Sequence, residues 1–372
     1  MKSIYRKPKK MMECDLLEEK IGLFAVEIDG KCGFIDRTGK LVINPQFDSC
    51  HGFSEGLAPV EIDGKWGYID SSGEVLIHPK FDSAYGFSES LALVGIEAKI
   101  KHFRNFPAIK IPTKYGFIDK RGKFAINPKF SFGLSSFIGQ GFHEGLAVVG
   151  IRVPHKVLKM EVPKWGYIDK KGKYIVKPKF QWAYGFSHGL AGASITEKEY
   201  GFINPKGDFE IHPIFEFVGT FSEGLAPVEI DGKWGYIDRG GKLVIQPDFY
   251  GAREFSRGLA PVTLDEMKWG YINRKGRIVL SPRFRRAFPF IGELASVILD
   301  DGRQGWINKT GSFVWREQEK YDISTSRHRQ EKRPISAASL PREEVFRHLV
   351  PMKENKESVQ KIPVRKSITR CY

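Results

Sequence analysis

The residues of this chain that could do chemistry are its histidines, its four cysteines and a recurring column of acids, and each is spaced for something other than catalysis. His78 and His212 occupy one repeated position, but its other copies are Asn44, Asn127, Lys177, Gln246 and Ser281, a range that a metal ligand does not tolerate. Cys14, Cys32, Cys50 and Cys371 form no CxxC pair, two lie near the ends and two within one repeat, so they read as free thiols. The acids Asp36, Asp70, Asp119, Asp169 and Asp238 alternate with Asn204, Asn273 and Asn308. An amide cannot carry a proton to or from a substrate, whereas Asp and Asn serve equally as acceptors in a turn. No GxSxG, P-loop, HExxH or dinucleotide fingerprint occurs. The sequence therefore reads as a protein that is not an enzyme, with no catalytic, cofactor-binding or metal-binding residues and no cofactor.

Binding chemistry is better represented. Two segments, 95–113 and 150–163, interleave cations with apolar and aromatic residues: Lys99, Lys101, Phe103, Arg104, Phe106 and Lys110 in the first, Arg152, Lys156 and Lys159 in the second. Such a pair of loops suits an acidic peptide, a phosphate-bearing glycan or nucleic acid; the plainer alternative is two long hairpins packed on each other. A further insertion at 131–140 is apolar and reads as packing. Lysines recur before an aromatic position (Lys31, Lys65, Lys114, Lys164, Lys233, Lys268), where they discourage edge pairing or, as a stripe, attract an anionic partner. The formal charge of +15 is concentrated toward the two ends of the chain.

What must position these residues is a repeat. FSEGLAPVEIDGKWGYID occurs without a change at Phe53–Asp70 and again at Phe221–Asp238. Aligned on one glycine, eight copies appear, at Gly33, Gly67, Gly116, Gly166, Gly201, Gly235, Gly270 and Gly305, 34 or 35 residues apart except where the two insertions fall. Each copy continues with an aromatic, an isoleucine and then Asp or Asn, with a second glycine three residues further on. In the second copy Leu57–Ile62 predicts a strand, Asp63-Gly64 a two-residue hairpin, Lys65–Ile69 the returning strand, and Glu74–Ile77 a third strand beyond the Gly73 turn. Pro79 ends that strand, Phe81 follows, and a connector leads to the next copy. The strands carry apolar residues on both faces, so units must stack and share a core. Gly67 marks a close approach by a neighbouring backbone, and Trp66, Trp165, Trp234 and Trp269 are expected to be largely buried.

The Lys-Trp-Gly-Tyr-Ile-Asp core with its trailing Gly, Pro and Phe resembles the WG (KWG) repeat family over about residues 21–315. Departures are Cys32, Tyr115, Tyr200 and Gln304 at the Trp position, and Glu317 and Glu319 where the last copy would place Pro and Phe. The resemblance implies a β-rich interaction module. The expected fold is all-β, a tandem array of eight three-stranded WG repeats forming a propeller-like toroid, with an open β-solenoid as the alternative, since no visibly split unit joins the ends.

The organisation that follows is a basic N-terminal segment at 1–20, the repeat domain at 21–315, and a basic tail at 316–372 whose composition predicts disorder. Within the tail, 341–350 has the pattern of a short amphipathic helix. No apolar run long enough to cross a bilayer and no signal-peptide pattern is present, which points to a cytoplasmic monomer. The function expected is a non-catalytic binding or scaffold protein that contacts a protein partner, acidic in character, through the loops. The alternative is recognition of an anionic glycan, nucleic acid or membrane surface.

Overall fold

Glycine and proline decide the shape of the repeat unit. The computed structural model describes residues 22–97, 99–103, 106–111, 114–131, 141–155, 160–196, 198–265 and 267–318, so the 1–20 segment, the 341–350 helix and nearly all of the tail lie outside the described residues. The second repeat shows the pattern. Strands Ser49–Cys50, Ala58–Ile62, Lys65–Ile69 and Val75–Phe81 pair antiparallel in chain order. Asp63 and Gly64 both take positive φ (51° and 70°), as a two-residue hairpin requires. At the next turn the Asp70 carboxylate accepts the N–H groups of Ser72 at 2.9 Å and Glu74 at 3.0 Å. Asn204, Asn273 and Asn308 accept the same two bonds in their own copies, so the column is a turn-forming acceptor and its Asp/Asn exchange is explained.

The glycine of the Trp-Gly pair has a different cause. Trp66 pairs with Phe81 and Tyr68 with Ile77, so three residues, 78–80, bulge opposite Gly67 alone. A Cβ on Gly67 would stand 2.8 Å from the Pro79 nitrogen and closer still to the Ile77 carbonyl oxygen. Proline suits the bulge because it has no N–H to leave unpaired. The same contact recurs at Gly33, Gly116, Gly166, Gly201, Gly235 and Gly270, each 2.7–2.9 Å from its proline nitrogen by the same measure. The close backbone approach expected at Gly67 is thus real, and it comes from the outer strand of the same unit. His78 and His212 sit in this bulge and are exposed.

Beyond the first unit, which has three described strands, the sheets have four and not the expected three, because the connector contributes a short strand of its own; in the third unit it runs longer, Ser83–Ser88. The eight sheets, or blades, span 24–47, 49–81, 83–130, 142–180, 182–215, 217–249, 251–284 and 286–316. Equivalent positions of consecutive connector strands come close together: the rings of His51 and Tyr85 are 6.4 Å apart. Spacing around a ring grows with radius, so the connector strands are innermost. The strand after the Gly73-type turn is outermost.

The blades close into a ring, an eight-bladed β-propeller. The apolar clusters lie between blades: Leu57, Tyr68, Ile77 and Phe81 of blade 2 pack with Ala84, Phe87, Ala92 and Val94 of blade 3. Tyr68 Oη donates to the Tyr85 carbonyl at 2.8 Å, and Tyr167, Tyr236 and Tyr271 donate to the blades that follow them. In blade 8 this position is Trp306, whose Nε1 donates to the Ala25 carbonyl of blade 1 at 3.0 Å while its ring lies 4.9 Å from that of Phe24. A cluster of Phe24, Val26, Ile35, Leu294 and Trp306 fills the joint. The open solenoid is therefore not adopted, and the ring is closed by side-chain contacts in place of a split sheet.

Three expectations need correction. The outer strands are not covered on both faces: Val42, Leu76 and Val244 are 49%, 52% and 48% exposed, because blade stacking covers the sheet faces and leaves the circumference open. Trp165 is buried, but Trp66, Trp234 and Trp269 are half-buried, since each begins its strand at the hairpin end of a blade. Cys32 and Cys50 are not free thiols but a disulfide, with Cα atoms 5.9 Å apart. The ring explains the pairing. Cys32 stands in the Trp column and Cys50 in the column of Ala84 and Ala183, small residues that pack against the preceding blade, so the bridge replaces an apolar contact between blades 1 and 2.

Two outcomes follow. Gly67→Ala forces a side chain into backbone and should cost about 2–3 kcal/mol in denaturant unfolding, whereas Gly52→Ala, with nothing within 4 Å of the added carbon, should change stability by less than about 0.5 kcal/mol. A non-reducing peptide map should recover the Cys32–Cys50 link, and reduction should cost about 3 kcal/mol for a loop of this length; an unlinked pair in the oxidised protein would contradict the bridge.

Candidate interaction face

Each blade has two ends. At one lie the Asp70-type turns and the Ser54–Leu57-type turns; at the other lie the Asp63-Gly64-type hairpins, the Trp column and the start of each inner strand. The insertions belong to the hairpin end. Elsewhere among the described blades the chain reverses there within two to five residues. In blade 3 the pairing runs to Ile96 opposite Lys114, where blade 2 has Ile62 opposite Lys65, and then continues into a separate hairpin, Lys99–Phe103 with Phe106–Ile111. In blade 4 the two strands lengthen to Leu146–His155 and Met160–Asp169, paired without a break from Leu146 opposite Asp169 to His155 opposite Met160.

The structure thus brings the described candidate residues to one end of two consecutive blades. Lys99, Lys101 and Phe103 lie on the first strand of the blade 3 hairpin; Phe106 and Lys110 lie on its second, with Lys101 opposite Ile109 and Lys110 opposite Ile100. Arg152 is exposed on the lengthened part of blade 4, opposite Pro163. Arg104, Lys156, Lys159 and the 132–140 part of the apolar insertion lie outside the described residues. Both segments form hairpins.

Of the six lysines before the Trp column, four are matched to acids and Lys233 lies over the Tyr250 ring. Lys31 pairs with Asp48 at 2.6 Å, Lys65 with Asp82 at 2.7 Å, Lys114 with Glu97 at 2.9 Å, and Lys268 with Asp300. The hydrogen bond from Lys31 also holds the Asp48 carboxyl below the ordinary range. The exposed pairs among these stabilise little, but all of them, including Lys65 with the buried Asp82 carboxylate, neutralise the field an anionic partner would feel.

A feature that sequence reasoning missed is a run of stacked groups on the inner strands. The His51 ring lies 4.9 Å from that of Trp66 at 13°, and Tyr200 stacks on Phe217 at 4.9 Å. The Arg253 guanidinium sits 5.2 Å from the Trp269 ring and 5.0 Å from that of Phe288. Burial pushes the His51 imidazole below its usual pKa, so it is neutral at pH 7. The signal was present: four residues after the outer-strand Phe stand His51, Tyr85, Tyr184, Gly219, Arg253 and Phe288. Among the described residues, no group of three or more His, Cys, Asp or Glu could hold a metal ion, and no helix is long and apolar enough to cross a membrane.

A search of curated protein sequences finds no relative of this chain. Solved structures with a similar course of chain include a eukaryotic initiation factor (9% identity, 79% of this chain and 95% of that one, TM-score 0.48). Others are BamB from Moraxella catarrhalis (10%, 77% and 88%, 0.44) and the extracellular domain of the one-component system BT4673 from B. thetaiotaomicron (12%, 74% and 42%, 0.42). The family model described as WG containing repeat matches residues 33–66, 66–99, 115–151, 165–198, 200–234, 234–266 and 269–302. The matched spans hold the bulge glycines, turn acceptors and hairpins that build seven of the eight blades, and the chain belongs to the family of WG-repeat proteins.

Proposed function

We propose that the protein is a non-catalytic interaction module that docks a protein partner, acidic in character, on its hairpin face. The observation that carries this reading is the placement of both inserted hairpins on consecutive blades at the same end of the ring. A closed ring is a rigid base for such loops, and loops displayed by a rigid scaffold are where binding residues concentrate. The invariant residues of the repeat, by contrast, are occupied in bulges, turns and joints between blades. A monomer suffices for this role. The Cys32–Cys50 bridge favours residence in an oxidising compartment over the cytoplasmic residence expected from the sequence, since disulfides form and persist in such compartments.

The register states how to test it. Replacing residues 97–113 and 152–163 each by Asp-Gly restores the blade 2 hairpin, because Ile96 opposite Lys114 and Ile151 opposite Lys164 correspond to Ile62 opposite Lys65. The trimmed protein should melt within a few degrees of the parent and lose the partners that the parent captures from its source cells. An unchanged set of partners would overturn the assignment. If the captured ligand is instead a polyanion, its affinity should fall steeply between 50 and 200 mM salt, roughly a thousandfold for six or more phosphate contacts.

A further inference from the structure

The geometry points to a second site, on blades 7 and 8: Arg253, with Arg286 beside it, is a receptor for the carboxylate of an acidic peptide side chain, walled by Trp269 and Phe288 at the central channel. The inner-strand position of Arg253 is filled in other blades by the neutral Tyr85, Tyr184 and Phe288. Packing between blades therefore does not call for a cation. The Arg253 guanidinium is half-buried between the two rings, and its Nε is buried without a hydrogen-bond partner. Among the described residues its side chain makes no hydrogen bond or ion pair at all. The nearest acid, Glu254, turns Oε1 to the Thr220 N–H of the preceding blade at 3.2 Å. By contrast, Lys31, Lys65 and Lys268 at this end each have an acid partner.

A cation held this way feels Glu254 only through space and lacks the directly bonded partner that partly buried ions require. Burial lowers the Arg253 pKa, Glu254 opposes the shift, and Arg286, exposed at the start of the neighbouring inner strand, adds to it. An incoming carboxylate relieves all of this. With Nε under the rings, the terminal nitrogens remain to make the parallel pair of bonds that a guanidinium offers a carboxylate. The aromatic walls exclude water from the pair and favour a flat group between them. A chain of net charge +15 meets acidic partners with long-range attraction. The site uses neither inserted hairpin, so it stands or falls separately from the docking face of blades 3 and 4.

Isothermal titration of the full chain with triglutamate tests it, with triglutamine and inorganic phosphate as companion probes. Triglutamate should bind and triglutamine should not. Arg253→Met, which keeps the stacked stem, should weaken binding at least tenfold. Arg286→Gln, at an exposed position, should weaken it several-fold and keeps the test readable if Arg253→Met does not fold. Absence of triglutamate binding, equal affinity in parent and variants, or binding of phosphate with exclusion of triglutamate would each overturn the assignment.

Discussion

The contact between the Trp-Gly glycine and the proline of the outer strand is the constraint from which the rest of this propeller follows. It makes three residues of the outer strand oppose one residue of its neighbour, and this bends the outer strand toward the next blade. Phe81 regains its place opposite Trp66, and Asp82 N–H already bonds the Gly95 carbonyl of blade 3. The bulge thus hands the chain from the rim of one blade to the centre of the next with a single intervening residue. Any side chain at the glycine would push the two backbones apart at the point where the hand-over occurs.

The first and last blades show how the ring copes where the sequence departs from its rule. Blade 8 has Glu317 where proline would fall, its outer strand pairs without the bulge, and the Phe313 ring occupies the space next to Gly305. No following blade needs the hand-over there. Closure falls instead to Trp306, an aromatic with a donor long enough to reach the Ala25 carbonyl of a blade whose described strands number three. At the other side of blade 1, Cys32 and Cys50 replace the packing of Trp against a small residue by a covalent link. The blade at the seam is thus tied on both sides by contacts that other joints do not use.

Much of this was legible in the sequence, for a physical reason. The Asp63-Gly64 hairpin, the Asp70 turn and the close approach at Gly67 are local demands on φ, on one acceptor oxygen, or on the absence of a Cβ, and such demands leave the same residue types wherever they recur, as at Asp29-Gly30 and Asp231-Gly232 or in the Asp/Asn column. Equivalent spacing also placed both insertions at one end of consecutive blades. What depends on the ring was not legible. The inner strand pairs over as few as two residues, too short for any periodic pattern, so the connector concealed the column that holds His51, Tyr85 and Arg253. The disulfide joins residues 18 apart that look unrelated until one blade is laid on the next. The exposed aliphatics of the outer strands resemble core residues because alternation cannot reveal which strand is the rim.

The central physical claim is that the ends of the array meet, so that no blade is terminal in the energetic sense. Amide hydrogen exchange measures this directly, because an end blade lacking a neighbour opens locally at little cost. The closed ring predicts that amides of Phe24–Ile28 and Gln304–Ile307 exchange as slowly as those of Tyr200–Ile203 and Lys233–Asp238 in the middle of the array. Exchange in blades 1 and 8 that is orders of magnitude faster than in blades 5 and 6 would contradict closure.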